Sequence, residues 1–431
     1  MKDIRKEIAT RKFKSQNRFL YWIYRTVMKI VGRRYNAHFE VVDDINKCNG
    51  PAIVIFNHLS RIDHFYTNEI CYPRRVNMVA GYNEFFRSHL HFAFKINRVI
   101  PKKQYINDFI GTKGIMSIIK QGGCVSFAPE GLATNDGTPK PIVPHTGALL
   151  KKLGVPVYHV KLSGQYLQNT KVCLDVREGE TYAKIYILFT KEDLERLTVD
   201  EIDDKINEAF RHDEYEWQKE KHIKWNMHDN AAYHLDHLCY RCPKCHHEFE
   251  MVAEGDTLYC ANCGNGTKIN EYYEFVPFEG SIIPESPSKW ADYERREIIK
   301  AIRKDPNYSI TEHVKVGVLP NDHLVKDHKT SEIVGEGMLT IDHNGMRYKG
   351  SNTDKYDFDL NYKELYTLFT ELDSSIMNLY VKGEYYDIIP DTPITLKATM
   401  LVEEMHRLHV NFYKNFKWKD YLYENLDEEE K

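Results

Sequence analysis

The sequence predicts an α/β domain with a largely parallel sheet, followed by a small cysteine-rich unit and a C-terminal β-rich domain closed by one helix. Three observations predict it. Buried-strand and helix patterns alternate over the first 225 residues, as in a sheet covered on both faces. Five of the nine cysteines crowd between Cys239 and Cys263. After Pro306 the pattern becomes short alternating segments separated by turn residues.

Ala52-Ile53-Val54-Ile55-Phe56 is a continuous apolar run, the mark of a strand buried on both faces. A helical stretch from Ile106 to Gln121 sets most of its isoleucines on one side and ends at Gly122-Gly123. Strands are expected at Cys124 to Phe127 and Val155 to Leu162, with a helix from Thr146 to Leu153 stopped by Gly154. Gly280 to Ser288 reads as a linker, and Ser288 is expected to cap a helix from Lys289 to about Arg303. Beyond it, strands are expected at 313–319, 337–341, 346–348, 356–360, 376–381 and 385–389, and an amphipathic helix from Ile394 to Tyr413.

The net charge of -4 argues against a dedicated nucleic-acid binder but hides local asymmetry. Residues 1–35 hold eleven Lys/Arg and two acids, whereas the tail is acidic. No apolar run reaches the roughly 18 residues a spanning helix requires, and no secretory signal is found, so the expected place is the cytoplasm. Clustered cysteines fit metal binding in a reducing compartment. Within the basic end, Phe19, Leu20, Trp22, Ile23, Val27, Ile30 and Val31 interleave with Arg18, Arg25, Lys29, Arg33 and Arg34. That pattern makes an interfacial helix for an anionic membrane surface, against the blander alternative of a helix docked on the protein's own core.

Three blocks carry chemistry. In FNHLSRID, His58 and Asp63 follow a strand end. Imidazole is a natural general base near neutral pH, and a carboxylate holds its tautomer. In CVSFAPEGLATNDG, a strand runs into Pro129-Glu130-Gly131, where main-chain amides can bind a phosphate. GVPVYHVKLSG reads as a buried strand. In this order the blocks resemble the glycerolipid acyltransferase family, whose best-known members acylate lysophosphatidic acid, over roughly residues 17–225. Asn57, His58 and Asp63 match the family's first block; Phe127, Pro129, Glu130 and Gly131 match its second. Lys102 or Lys103, in RVIPKK, stands where the family has a basic residue between them.

The resemblance implies that His58 removes a proton from an acceptor hydroxyl, that Asp63 orients the ring, and that the oxygen attacks an acyl thioester of CoA or carrier protein. It implies Lys102, Lys103, Glu130 and Gly131 as substrate-binding residues and a lysophospholipid, foremost 1-acylglycerol 3-phosphate, as acceptor in phospholipid synthesis. This chain departs from the family by inserting Ala128 and by carrying Leu132-Ala133 in place of Thr-Arg. Two other readings stay open: a non-catalytic lipid- or protein-binding adaptor built on a decayed transferase domain, and transfer to a different lipid acceptor.

Cys242-Pro-Lys-Cys245 and Cys260-Ala-Asn-Cys263 are two CxxC pairs fourteen residues apart. Two such knuckles complete a closed thiolate site for structural Zn²⁺ and resemble a zinc ribbon. Cys239 is left over, His234, His237, His246 and His247 are expected to be solvated, and no basic surface points to nucleic acid. The short strands and final helix resemble the pleckstrin-homology type of barrel in pattern. The expected organisation is a membrane-interface segment (1–35), an acyltransferase domain (36–228), a zinc ribbon (236–278), a linker and helix (279–306), a pleckstrin-homology-like domain (307–416) and an acidic tail (417–431). A peripheral place on the inner face of the membrane follows from these readings.

Overall fold

In a computed structural model of the chain, the described residues are 3–410 apart from 174, 327, 328 and 330, together with 417, 419–424 and 426. Seven of the fifteen residues of the expected acidic tail, and the expected end of the last helix at Tyr413, lie outside them.

The first sheet holds β1 (Ala37–Val41), β2 (Ala52–Phe56), β3 (Val76–Gly81), β4 (Ile100–Lys102), β5 (Cys124–Phe127), β6 (Val157–Ser163) and β7 (Thr181–Phe189), in the order β1-β7-β6-β2-β5-β3-β4. Strands β2 to β6 run parallel to one another, and β7 returns antiparallel to β6 with β1 parallel beside it. Strand β2 shows why the apolar run is unbroken. Ala52, Val54 and Phe56 pack in the cluster that holds Tyr66, from the helix Asp63–Cys71. Ile53 and Ile55 pack on the other face, against Ile115 and Ile118 of the helix Phe109–Lys120 and Leu150 of the helix Thr146–Leu153. The two-residue period sends alternate side chains into two layers, and both are buried.

Four antiparallel strands form the cysteine-rich unit: β8 (Met251–Glu254), β9 (Thr257–Cys260), β10 (Gly266–Ile269) and β11 (Phe275–Pro277). The helix Pro287–Lys304 follows, and here the sequence reading is corrected. Its cap is Ser286, whose hydroxyl accepts from the Lys289 amide. Proline at the first helical position brings a preset φ and no surplus donor, so the helix starts there. Ser288 instead donates to Asp213 at 3.0 Å.

The C-terminal domain holds β12 (Ser309–Val318), β13 (Glu332–Asp342), β14 (Gly345–Gly350), β15 (Phe358–Leu360), β16 (Phe369–Thr370), β17 (Met377–Val381) and β18 (Glu384–Pro390). Their order is β15-β14-β13-β12-β18-β17-β16, and every pairing is antiparallel. A four-strand and a three-strand meander therefore join where the first strand meets the last. The helix Thr395–His409 packs beside them, ten of its residues buried.

This domain is docked on the first rather than tethered to it. Ile4 and Ile8 from the chain's first helix, Phe86 and Leu132 from the α/β domain, and Phe369 and Tyr380 from the C-terminal domain share one buried cluster. Arg87 pairs with Glu371 at 2.6 Å, Lys140 with Glu403 at 3.1 Å, and Thr370 donates to Asn135 at 2.8 Å.

Candidate active site

Parallel neighbours end at the same edge of a sheet, and β2 and β5 are such neighbours, with Ile55 opposite Phe127. The segments after them, carrying His58 and Glu130, therefore lie side by side at the carboxyl edge, where open α/β sheets bind ligands. Asn57 fixes the exit of β2: its side-chain amide donates to the Leu162 carbonyl at 3.0 Å and accepts from the Leu162 amide at 2.8 Å.

Asp63 opens the helix Asp63–Cys71 and is 1% exposed. Its carboxylate accepts from the Leu59 amide at 2.8 Å and from the Ser60 amide and hydroxyl, which folds the loop around it. The remaining contact is His58 Nδ1 at 2.9 Å from Asp63 Oδ2. A carboxylate there calls for the proton on Nδ1 and leaves Nε2 free to accept one. The ring is about one-third open to solvent and stands edge-on to Phe56.

Glu130 is 2% exposed and braces this loop from below. One carboxylate oxygen accepts from the His58 amide at 2.6 Å and the other from the Lys140 amide at 3.0 Å. Burial pushes its pKa up to about 8, and the two amides oppose that rise. The Thr134 amide donates to the His58 carbonyl at 2.9 Å, and Tyr105 donates to the Glu130 carbonyl at 2.9 Å. Gly131 turns the chain at φ 73°, and a Cβ there would come within 2.8 Å of Val143. Both oxygens of Glu130 are taken up by main-chain donors, so it is Gly131 that lines the adjoining cavity.

That cavity has a volume of about 750 Å³. His58 stands in its wall, and apolar side chains including Phe56, Val79, Ile115, Phe127 and Leu149 line it. Lys102 lines it too, 3.8 Å from Asp108, and burial lowers its pKa. Lys103 goes elsewhere: its ammonium donates to the Gly383 carbonyl of the C-terminal domain at 2.6 Å and sits over the Tyr82 ring. The two lysines that the sequence left as alternatives thus face different neighbours. Leu132, which stands where the family block has Thr, is buried in the docking cluster with Phe369 and Tyr380.

Tyr105 is a residue the sequence reading missed, along with the part of the cavity wall formed by the C-terminal domain. Tyr105 stacks obliquely near Tyr366 and Phe369 while holding Glu130. No local motif marks it, because Glu130 lies 25 positions away and its aromatic neighbours Tyr366 and Phe369 more than 260.

The cysteines converge as well. Sγ atoms of Cys242, Cys245, Cys260 and Cys263 all lie within 4.8 Å of one another, with Cys242–Cys263 and Cys245–Cys260 at 3.7 Å. Tetrahedral Zn–S bonds of about 2.3 Å place sulfurs about 3.8 Å apart, so the group can hold a metal ion. Side-chain amides of Asn265 and Asn262 donate to Cys242 and Cys245. Cys239 is buried outside the group. Of the neighbouring histidines, His246 and His247 are exposed as expected, whereas His234 and His237 are half-buried, and His237 contacts the Asp373 carbonyl at 2.8 Å.

The family model described as Acyltransferase matches residues 35–163, the segment that holds His58, Asp63, Lys102, Lys103, Glu130 and Gly131. The chain thus carries an acyltransferase domain. No curated protein matches it. Among solved structures, the 1-acyl-sn-glycerophosphate (LPA) acyltransferase PlsC from Thermotoga maritima aligns over 49% of this chain and 80% of that one, at 16% identity and a TM-score of 0.39. That likeness is too slight to carry an argument.

Proposed function

We propose that the chain transfers a fatty acyl group from a thioester of CoA or carrier protein to the hydroxyl of a lysophospholipid, foremost 1-acylglycerol 3-phosphate. The observation that carries this reading is the His58–Asp63 pair in the wall of a cavity with an apolar lining. His58 Nε2 takes the proton of the acceptor hydroxyl. The oxygen adds to the thioester carbonyl carbon, the C–S bond breaks, and the thiolate leaves with the proton returned through the imidazolium. A thiolate is a good leaving group, so no strong acid is needed, and the apolar lining suits an acyl chain. Release of free thiol, measured across a panel of acceptors, tests the reading. It stands if release depends on a lysophospholipid and fails if purified protein releases none.

Lys102, in the cavity wall, is the cation offered here to an acceptor phosphate. An ammonium offers one charge without the fork of an arginine. Lys102→Ala is expected to raise the acceptor KM about tenfold while changing the thioester KM much less. Equal effects on both substrates would remove Lys102 from the acceptor site.

The membrane-interface reading rests on the helix Arg18–Val31. Tyr21 bonds Asn68 and Arg25 pairs with Glu69 at 2.8 Å, which docks the helix on its neighbour. On the opposite stripe Phe19, Trp22, Val27 and Ile30 are each more than half exposed. Among the described residues no helix is long and apolar enough to cross a membrane. An exposed apolar stripe flanked by Arg18, Lys29, Arg33 and Arg34 suits insertion at an anionic surface, each cation adding about 1 kcal/mol. Deleting residues 1–35 would also strip Ile4 and Ile8 from the docking cluster, so point changes are the cleaner test. Trp22→Ser with Ile30→Ser is expected to release the protein from phosphatidylglycerol vesicles in sedimentation, and salt to weaken wild-type binding. Equal sedimentation of wild type with anionic and neutral vesicles would refute the electrostatic part.

Structural zinc at the four cysteines, and a pleckstrin-homology-like nature of the C-terminal domain, belong to the same proposal. The sulfur spacing supports the first. Two joined meanders with a helix after the last strand support the second.

A further inference from the structure

The cavity beside His58 is not walled by the α/β domain alone. Two turns of the C-terminal domain complete its mouth, and each places a lysine there: Lys382 between β17 and β18, and Lys363 just after β15. Neither turn is slack. Lys382 and Gly383 form a two-residue hairpin turn with φ of 50° and 85°, the primed geometry that fits the strand twist. It is pinned on both sides, by the Lys103 ammonium on the Gly383 carbonyl and by Arg5 on Glu384. Lys363 sits in a turn closed by Asn361, which accepts from the Lys363 amide at 2.9 Å and donates to Glu364 at 2.7 Å.

Both ammonium groups are exposed, and neither has an ion-pair or hydrogen-bond partner among the described residues. Lys152 of the α/β domain, also at the cavity, is in the same state. The acids facing them are Asp108 and Glu364. Asp108 already accepts from the amides of Lys103, Ile110 and Gly111 and lies near Lys102; Glu364 is held by Asn361. The mouth therefore carries an excess of uncommitted positive charge above an apolar interior. A cleft lined by one sign of charge concentrates the opposite ion.

We infer that the C-terminal domain is part of the substrate site, with Lys363 and Lys382 binding a phosphate group of a substrate whose acyl chain lies in the cavity. This rests on the acyl-transfer reading for the substrate's identity but not for the anion site itself. Such a phosphate occurs on the lysophospholipid headgroup and on CoA, and the experiment separates them. The docking of Leu132 against Phe369 and Tyr380 gives the arrangement its rigidity.

The test is equilibrium binding to the full chain, read without turnover. The probes are CoA against pantetheine, which keeps the thiol arm and carries no phosphate, and 1-oleoylglycerol 3-phosphate against 1-oleoylglycerol in detergent micelles. Wild type is expected to prefer the phosphorylated member of one pair by about tenfold. Lys363→Ala with Lys382→Ala should abolish that preference, and Lys363→Arg with Lys382→Arg should keep it. Loss on the lipid pair assigns the headgroup; loss on the CoA pair assigns the donor. No preference in either pair for wild type, or a preference retained by the alanine variant, overturns the inference. A preference that depends on both lysines, without thiol release by wild type, upholds the anion site and sinks the transferase reading instead.

Discussion

Replacing His58 with alanine is expected to lower acyl transfer by about 10²–10⁴-fold, the usual worth of a positioned general base, with little change in thermal stability. The two halves of that expectation have separate causes. In the proposed reaction catalysis depends on the imidazole, for which alanine offers nothing. The fold depends on the main chain at this position: the His58 amide donates to Glu130 and its carbonyl accepts from Thr134, and alanine keeps both. Asp63 also stays satisfied, because the Leu59 amide and the Ser60 amide and hydroxyl still donate to it. Asp63→Asn should behave differently. An asparagine would turn an NH₂ group toward main-chain donors, costing about 1–3 kcal/mol for an unmet buried group, and would also lose the charge that holds the His58 tautomer. Steady-state thiol release and a thermal melt, run on both variants, check this. Full turnover by purified His58→Ala would remove His58 as the base, and a melt for Asp63→Asn matching wild type would refute the loop-bracing role.

The second large effect is expected from the four cysteines. Metal analysis should find one zinc per chain, and a strong chelator, or Cys260→Ser, should remove it. Structural zinc in small knuckle units is worth roughly 10–16 kcal/mol, comparable to the whole stability of a typical domain. The β8–β11 unit packs Met251, Leu258, Ile269 and Tyr273 into the main hydrophobic cluster, so disorder in it would spread. Tyr273, which follows β10, is buried against the α/β domain, receiving a hydrogen bond from Arg177 at 2.8 Å and donating to the Leu167 carbonyl. On another side the Arg241 amide donates to Glu294 and Trp290 donates to the Arg241 carbonyl, tying the unit to the helix Pro287–Lys304. Chelation should therefore lower the melting temperature of the full chain. A metal-free preparation with an unchanged melt, or Cys260→Ser with full zinc content, would refute the site.

How much of the site was legible follows from what each residue depends on. His58 and Asp63 form their pair within five positions, across one loop and the first turn of one helix, and such local geometry is written in local sequence. The CxxC pairs are legible for the same reason. The position of Glu130 in its block was also readable, but its engagement by two main-chain amides was not. That depends on β2 and β5 being neighbours, which no segment states by itself. The Ser286 cap was missed because Ser286 and Ser288 offer competing caps, and only the packing of Ser288 on Asp213 separates them. Strand β16 was missed because two residues carry no readable period.

The sequence by itself determined the elements whose cause is periodic or close-range. Strand β2 is buried on both faces because every residue in it is apolar. The apolar stripe of the helix Arg18–Val31 follows from the helical period. The histidine–carboxylate pair and the thiolate knuckles follow from spacing. Only the tertiary structure decided which lysine of Lys102 and Lys103 faces the cavity, that Leu132 serves docking, and that Lys363 and Lys382 stand at the mouth. Those outcomes depend on contacts between residues separated by more than 200 positions along the chain. Such contacts form only when two complete domains bury apolar surface together, and the hydrophobic effect that drives this has no direction and leaves no spacing to read.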